Sequence, residues 1–358
     1  MTAARLTTPL RRTAVLVAAL LLALVAAGSA APRPAEGAAG LPRLNVVDNY
    51  VTGISSGGYM ATQLQVAHSS RFEGAGVFSA GTYWCARGSL VVALESCTAY
   101  NVPTDMSAVY AETERYARDG LIDPLQGLTT SRTWFFHGEK DPTVLRPVAD
   151  HLAAFYRHYG TPLTYRDTTA AGHGWISPLG PVACAATAAP FINACPPYDA
   201  QADLLRTLRG SVKAPAASAK GTVTAFAQDP YAAPASAGVG DPTRSGAAAI
   251  GMGRTGYLYT PPSCARGAKC DVVVALHGCK QTADQIGTTF VERSGLNTYA
   301  DTNSFAVLYP QAAPDASFGN PNGCWDWWGY LGPGDADYAT KRGPQMVTVM
   351  AMVSALGG

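Results

Sequence analysis

Short runs of β-branched and aromatic residues, most of them followed by a glycine-containing loop, recur along the chain and constrain its fold most. These runs lie at residues 49–53, 133–137, 271–276 and 305–309. Apolar residues at helical spacing follow some of them, such as Leu152, Phe155 and Tyr156 within residues 148–159. Short strands that alternate with amphipathic helices indicate an α/β fold, with a mostly parallel central sheet and helices on both faces.

Residues 53–57 (GISSG) fit the pattern Gly-x-Ser-x-Gly. In this pattern the serine stands at the apex of a sharp strand-to-helix turn, and the two glycines allow the backbone to fold that tightly. The motif follows the run at 49–53 and precedes a helical pattern, which is the setting that the turn requires. We therefore expect Ser55 to be a nucleophile and the main-chain N–H of Ser56 to be an oxyanion donor.

Asp141 and His173 are the residues that we expect to activate Ser55. A serine hydroxyl needs a histidine base that a carboxylate orients, and after such a turn the acid precedes the histidine along the chain. His173 lies between two glycines in a loop, and Asp141 follows the run at 133–137. Asp123 is the alternative acid, although no obvious strand precedes it.

Residues 277–281 (HGCKQ) follow the run at 271–276 and resemble the loop that supplies a second oxyanion donor. That loop normally precedes the nucleophile along the chain. Here it follows Ser55 by about 220 residues. The unusual position indicates that the order of the two halves of the fold has been exchanged.

A circular permutation of an α/β-hydrolase fold accounts for this exchange. Residues 251–358 would then correspond to the first half of the fold, and residues 41–209 to the second. Residues 210–250, which are rich in Ala, Pro, Ser and Gly, would link the former chain ends, apart from one short strand within them. We expect the C-terminal helix to run into the first strand, so that Leu356 lies near Asn45.

The N-terminus has the layout of a secretory signal peptide, which we assign to residues 1–31. Three arginines precede an uncharged apolar run at 13–27, and small residues follow it. This run is shorter than the roughly 20 residues that span a bilayer. Residues 32–40 form a flexible leader in this interpretation, and residues 41–358 form one secreted catalytic domain. The general and the twin-arginine export routes both remain open.

The composition limits the partners of this domain. Charged residues make up 14% of the chain, below the roughly 25% of an average soluble protein. The net charge of +1 lacks the basic excess typical of nucleic-acid binding. We expect a monomer that binds neither nucleic acid nor, after signal cleavage, a membrane, and that acts on neutral or apolar material.

The chain has eight cysteines, an even number that favours disulfides in an exported protein. Proximity along the sequence suggests the pairs Cys85–Cys97, Cys184–Cys195 and Cys264–Cys270, which leaves Cys279 and Cys324. No two cysteines are spaced as C-x-x-C, and no histidine stands at a ligand-like offset. We therefore expect no metal site.

Five segments taken together resemble the extracellular poly(3-hydroxybutyrate) depolymerases and their esterase relatives. The segments are VTGISSGGYMA, FFHGEKDPTV, AGHGW, VVALHGCKQ and GCWDWWGY. The likeness is greatest to the fungal-type, circularly permuted enzymes with a single domain, and it covers nearly all of residues 41–358 outside the linker. One departure is that we identify no separate substrate-binding module or threonine-rich linker among these residues, so we expect adsorption to a polymer to fall to the catalytic domain.

The resemblance implies a triad, an oxyanion hole and one disulfide, with no cofactor. The triad would be Ser55, Asp141 and His173, the oxyanion donors the N–H groups of Ser56 and Cys279, and the disulfide Cys279–Cys324. In that arrangement Cys279 lies beside Ser55. The implied reaction is hydrolysis of polyester or oligoester bonds through an acyl-enzyme intermediate.

Three tryptophans lie in the segment CWDWW and are candidates for binding the substrate. Aromatic rings beside an esterase crevice can contact the methyl-bearing backbone of a polyester. We expect Trp327 or Trp328 to do so ahead of Trp325. Two alternatives remain: an esterase that removes feruloyl or acetyl groups from plant polysaccharide, and a secreted polymer-binding protein whose triad is inactive.

Overall fold

The structure is a computed structural model that describes residues 40–236, 238–333 and 335–358. The predicted signal peptide, and the predicted leader apart from residue 40, lie outside the described residues. In these ranges no helix is long and apolar enough to cross a membrane. The described residues belong to one compact unit.

A central sheet and a small second sheet contain the strands of the described chain. In chain order they are β1 (Asn45–Ile54), β2 (Gly74–Phe78), β3 (Arg132–Phe136), β4 (Leu163–Arg166), β5 (Trp175–Ile176), β6 (Val182–Ala183), β7 (Ile192–Ala194), β8 (Thr222–Ala227), β9 (Thr255–Thr260), β10 (Lys269–Leu276) and β11 (Phe305–Tyr309). The central sheet has the spatial order β4-β3-β2-β1-β10-β11-β9-β8, and the small sheet has the order β5-β7-β6. Strand β9 is antiparallel to β8 and β11, and the other pairs of the central sheet are parallel.

Helices cover both faces of the central sheet, as the sequence indicated. They are α1 (Ser56–Ala67), α2 (Leu90–Glu95), α3 (Met106–Arg118), α4 (Arg146–His158), α5 (Ala200–Arg209), α6 (Pro262–Ala265), α7 (Ala283–Ile286), α8 (Thr289–Arg293), α9 (Leu296–Asn303) and α10 (Pro344–Leu356).

Two buried clusters form because successive residues of a strand point to opposite faces. Val51 and its partner Val274 join the cluster that contains residues of α1, α4 and α10. Tyr50 and its partner Val273 join the cluster that contains residues of α5 and α9. The central strands are therefore buried on both sides, which explains why their sequences are apolar throughout.

The topology confirms the permuted α/β-hydrolase fold. Strands β1 and β10 are parallel neighbours, with Gly53 beside Leu276, although they come from opposite ends of the chain. The main-chain N–H of Leu44 donates to the carbonyl oxygen of Leu356 at 2.8 Å. The C-terminal helix thus ends where β1 begins, and the expectation that Leu356 lies near Asn45 is confirmed.

The connection between the two halves is shorter than residues 210–250. Residues 222–227 form β8, which pairs along its length with β9 at the edge of the central sheet. This is the short strand that we expected within the linker. The segment that only connects is therefore the stretch from the end of α5 to β8.

Four disulfides close loops in the described chain. They join Cys85 to Cys97, Cys184 to Cys195, Cys264 to Cys270 and Cys279 to Cys324. The first three are the pairs that proximity along the sequence suggested, and the fourth is the pair that the resemblance implied. The last one ties the loop after β10 to the tryptophan-containing segment, 45 residues further on.

Candidate active site

Ser55 stands at the tip of a sharp turn between β1 and α1. Its φ of 56° and ψ of −122° lie in a region that non-glycine residues rarely adopt. A Cβ at Gly53 would collide with the carbonyl oxygen of Gly57, and a Cβ at Gly57 would collide with the carbonyl oxygen of His277. Both glycines are therefore required, and the turn leaves Ser55 partly exposed among buried neighbours.

Asp141 and His173 form a buried hydrogen-bonded pair on the loops after β3 and β4. Oδ2 of Asp141 lies 2.8 Å from Nδ1 of His173, and Oδ1 accepts from the N–H groups of Thr143 and Val144 at 2.8 and 3.0 Å. Burial by itself would raise the pKa of Asp141, but the bond to His173 and the two main-chain N–H groups hold it below its ordinary value. The carboxylate is therefore ionised at neutral pH and favours the tautomer with a proton on Nδ1, which leaves Nε2 as a base.

The loop that carries His173 is pressed against residues 184–195, which the Cys184–Cys195 disulfide closes. The main-chain N–H of His173 donates to Oγ1 of Thr187 at 2.8 Å. A Cβ at Gly172 would collide with the carbonyl oxygen of Ala186, and one at Gly174 with Asn193. The flanking glycines thus permit close packing that holds the histidine in place, rather than giving it freedom to move.

Strand register brings Ser55 and the Asp141–His173 pair to the same edge of the sheet. Ile54, Phe78, Phe136 and Arg166 are aligned across β1 to β4, and the functional loops begin just after them. The carboxyl ends of parallel strands are the usual place for such sites. In the described chain no hydrogen bond joins Ser55 Oγ to the imidazole of His173.

Asp123, the alternative acid, lies elsewhere. Its carboxylate accepts from the N–H and hydroxyl of Ser70 at 2.8 and 2.7 Å and pairs with Lys341. Its own N–H donates to Ala67, at the opposite end of α1 from Ser55. Because a helix of 12 residues is about 18 Å long, Asp123 is remote from the nucleophile.

The loop after β10 lies against the nucleophile turn. A Cβ at Gly278 would stand 3.3 Å from the Cβ of Ser55. Cys279 follows directly, and its N–H, like that of Ser56, forms no hydrogen bond with another described residue. Two unpaired N–H groups flanking a serine are the arrangement that stabilises an oxyanion.

His277 orients the peptide that carries the Cys279 N–H, a role that sequence reasoning missed. Its Nε2 accepts from the N–H of Ala312 at 3.1 Å, so Nδ1 carries the proton and donates to the carbonyl oxygen of Gly278 at 2.8 Å. Burial lowers the pKa of His277 to about 4, which keeps the ring neutral. Since the peptide is planar and trans, a carbonyl directed at His277 turns the Cys279 N–H the opposite way.

His137 gives similar support to the acid loop. It directly follows β3, is buried, and its Nε2 donates to the carbonyl oxygen of Val144 at 2.8 Å. Val144 in turn donates its N–H to Asp141. The signal in the sequence is that both buried histidines, His137 and His277, directly follow a strand and precede a glycine.

The three tryptophans of the segment CWDWW have different environments. Trp325, which we ranked behind the other two, is fully buried and donates from its indole to the carbonyl oxygen of His277 at 3.1 Å, so this N–H is already used inside the protein. Trp327 stacks on Tyr59 with ring centroids 4.0 Å apart, and its indole N–H has no partner among the described residues. Trp328 packs edge-on against Trp327 at 5.4 Å. Of the three, only Trp325 uses its indole N–H in a hydrogen bond to another described residue.

A protein-family model described as esterase PHB depolymerase matches residues 255–356. The chain is 35% identical over 325 residues to the poly(3-hydroxybutyrate) depolymerase of Delftia acidovorans. The alignment covers 88% of this chain and 61% of that protein. It is 36% identical over 339 residues to the polyhydroxybutyrate depolymerase of Talaromyces funiculosus. That alignment covers 89% of this chain and 93% of that protein.

Two solved structures have the same fold. A PHB depolymerase with a serine-to-alanine substitution, in complex with an R3HB trimer, superposes with a TM-score of 0.78 at 33% identity. The PHB depolymerase from Penicillium funiculosum superposes with a TM-score of 0.77 at 34% identity. Each alignment covers 89% of this chain and 98% of the other. With the nucleophile turn, the acid–histidine pair and the oxyanion loop at one edge of a permuted sheet, the chain belongs to the polyhydroxybutyrate depolymerase family of esterases.

Proposed function

We propose that this chain is a secreted serine esterase that hydrolyses the ester bonds of poly(3-hydroxybutyrate) or its oligomers. The observation that carries the proposal is the buried Asp141–His173 pair at the same sheet edge as the strained Ser55 turn. The family relationship supplies the substrate class, since both curated relatives are named for polyhydroxybutyrate. The disulfides support export, because such bonds persist in oxidising compartments.

Acylation would start with proton transfer from Ser55 to Nε2 of His173. The serine oxygen attacks the ester carbonyl, and the resulting oxyanion accepts from the N–H groups of Ser56 and Cys279. The imidazolium is stabilised by Asp141, which stays ionised. When the tetrahedral intermediate collapses, the proton passes from His173 to the departing alkoxide, which leaves as the alcohol end of the polymer chain.

Deacylation repeats these roles with water as the nucleophile. His173 takes a proton from water, the hydroxide adds to the acyl carbon, and the proton returns to Ser55 as the bond to its oxygen breaks. The second product is the acid end of the chain. No group beyond the side chains and main-chain N–H groups already named takes part in these steps.

Trp327 and an exposed apolar segment would hold the polymer. The indole N–H of Trp327 is buried and has no partner among the described residues, so a carbonyl oxygen of a neighbouring monomer unit that reached it would supply the missing acceptor. Next to the acid loop, the N–H of Leu145 donates to the carbonyl oxygen of Thr98 at 2.9 Å, which ties the site to residues 90–102. In that segment four aliphatic side chains are about half exposed or more: Leu90, Val91, Leu94 and Val102. We propose that this surface adsorbs to solid polyester.

Labelling with a fluorophosphonate probe tests the nucleophile. The wild type should label, and Ser55→Ala should not. The matched control is Ser79→Ala, which removes a buried hydroxyl that has no partner, just after the neighbouring strand β2. Absence of labelling in the wild type would favour the polymer-binding alternative, and labelling that survives Ser55→Ala would exclude Ser55.

The substrate is tested by comparing products. Incubation with polyhydroxybutyrate granules should release 3-hydroxybutyrate and its oligomers, whereas feruloylated or acetylated xylan should release little acid. Ferulate release without any action on granules would contradict the polyester assignment but leave the serine mechanism intact.

A further inference from the structure

The side chain of Gln281 lies between the oxyanion loop, residues 277–281, and the disulfide-closed loop that packs beside the catalytic histidine. Gln281 is 1% exposed. Its Oε1 accepts from the main-chain N–H of Gly278 at 2.7 Å. Its Nε2 donates to the carbonyl oxygens of Pro190 and Phe191 at 2.8 and 3.1 Å, 91 and 90 residues earlier in the chain. One buried amide group therefore joins two loops that are distant in the sequence.

The hydrogen bonds of this amide fix its orientation. A glutamine side chain has two N–H hydrogens and one carbonyl oxygen, and here all three have a main-chain partner. The oxygen faces an N–H group and the nitrogen faces two carbonyl oxygens, so a flipped amide would lose all of these bonds. Because a buried polar group is costly unless it is hydrogen-bonded, the side chain of Gln281 is held in this one arrangement.

At the oxyanion loop, side chains hold Gly278 at both of its main-chain polar groups. Its N–H donates to Gln281, and its carbonyl oxygen accepts from Nδ1 of His277 at 2.8 Å. Glycine has wide backbone freedom, so these two contacts are needed to fix the direction of the following peptide, which carries the N–H of Cys279. The N–H of Gly278 is already used by Gln281, which leaves the oxyanion to the N–H of Cys279.

At its other end, Gln281 binds the loop that holds the catalytic histidine. The carbonyl oxygen of Phe191, to which Gln281 donates, also accepts from the N–H of Trp175 at 2.8 Å. Trp175 stands two residues after His173. In the same loop, Oγ1 of Thr187 accepts from the main-chain N–H of His173 at 2.8 Å. A shift of this loop would therefore displace the main chain that carries the imidazole.

We propose that Gln281 is a positioning residue, which fixes the N–H of Cys279 relative to the imidazole of His173. The inference rests on the proposed esterase function, in which both groups act on the same tetrahedral intermediate. Oxyanion donors are effective only when they are oriented before the reaction, and small displacements of reacting groups are costly. The two loops belong to opposite halves of the permuted chain, and the amide of Gln281 bridges them.

Gln281→Met distinguishes a hydrogen-bonded bridge from packing alone, because methionine has a similar length but no N–H group. On a soluble butyrate ester, kcat should fall about 10- to 100-fold. KM should change little, since Gln281 is buried and its amide already has a full set of partners. The matched control is Gln285→Met, which replaces an exposed glutamine whose side chain accepts only from the hydroxyl of Thr282, and it should keep the wild-type kcat.

A double-mutant cycle tests whether Gln281 acts through the histidine loop. Thr187→Val removes the acceptor of the His173 N–H from that loop. If both residues hold the same loop, the loss of kcat in the double variant should differ from the product of the two single losses, because substitutions that act on one element are coupled. Losses that simply multiply would overturn the link between Gln281 and His173.

Amide hydrogen exchange gives a second measurement that needs no stable variant. In the free wild type the N–H of Gly278 should be protected by Gln281, and the N–H of Cys279 should gain protection once a fluorophosphonate has reacted with Ser55. Absence of either effect, or an unchanged kcat in folded Gln281→Met, would overturn the proposal.

Labelling of the wild type by the same fluorophosphonate separates this inference from the proposed function. A wild type that does not label would contradict the esterase function, and the inference would fall with it. A wild type that labels and hydrolyses the ester as fast as Gln281→Met would refute the bridge and leave the esterase function intact.

Discussion

Replacement of Asp141 by Asn should reverse the tautomer of His173. Oδ1 of Asp141 accepts from two main-chain N–H groups at 2.8 and 3.0 Å, so the amide oxygen of Asn must take that place. The amide nitrogen is then directed at Nδ1 of His173, where the carboxylate oxygen stood at 2.8 Å. Two N–H donors cannot face each other, so Nδ1 becomes an acceptor and the proton moves to Nε2.

A histidine protonated on Nε2 cannot accept the proton of Ser55, so kcat should fall by about 10⁴-fold. KM should change little, because Asp141 is buried behind the histidine. Kinetics on a soluble butyrate ester measure both constants. The control is Asp123→Asn, which removes a carboxylate that binds Ser70 and Lys341 far from the site and should retain nearly full activity. A loss of less than tenfold in Asp141→Asn would refute this reasoning.

The same substitution has a signed effect on stability against pH. Because the pKa of Asp141 is lower in the folded protein, its carboxylate contributes stability above the unfolded pKa of about 3.9. That contribution is lost as pH falls through the lowered value. Denaturant unfolding at pH 7 and pH 3 should therefore show that acid costs the wild type more stability than it costs Asp141→Asn.

Three further predictions concern the oxyanion loop, the substrate and adsorption. His277→Ala should lower kcat by roughly 10- to 100-fold with little change in KM, because the carbonyl of Gly278 would lose the donor that orients it. His277→Asn, whose amide can donate, should recover part of the lost kcat. Unchanged kcat in the alanine variant would disprove the orienting role of His277. Trp327→Phe should raise KM for oligomers more than for a single-unit ester, and equal effects on both would argue against a contact with a neighbouring unit. Val91→Ser combined with Leu94→Ser should weaken sedimentation with granules yet leave hydrolysis of a soluble ester intact, whereas unaltered binding would place adsorption elsewhere.

The strands and the order of catalytic residues could be predicted because their signals are local. An apolar run is long enough to identify a strand, and glycines two positions before and after Ser55 indicate the turn between strand and helix. The position of the 277–281 loop, late in the chain, was enough to predict the permutation. The short-range cysteine pairs were also accessible, since residues 6 to 12 apart in sequence have few other partners within reach.

Burial and hydrogen-bond partners could not be predicted from the same patterns. Trp325 and Trp327 are two residues apart in one aromatic motif. The indole N–H of Trp325 is hydrogen-bonded inside the core, whereas the indole N–H of Trp327 has no partner among the described residues. Loop residues have no fixed periodicity, so their sequence does not say which side chain points inward. The contacts that decide it come from His277, in the loop after β10, and from Tyr59 of α1, near the other end of the described chain.

By itself, the sequence determined that the chain would build a permuted α/β sheet with Ser55, Asp141 and His173 on loops at one edge. Only the tertiary structure decided which histidines support those loops and which tryptophan is hydrogen-bonded in the core. The physical reason is that backbone geometry follows from neighbouring residues, whereas a proton's position depends on burial and on partners brought together by the fold.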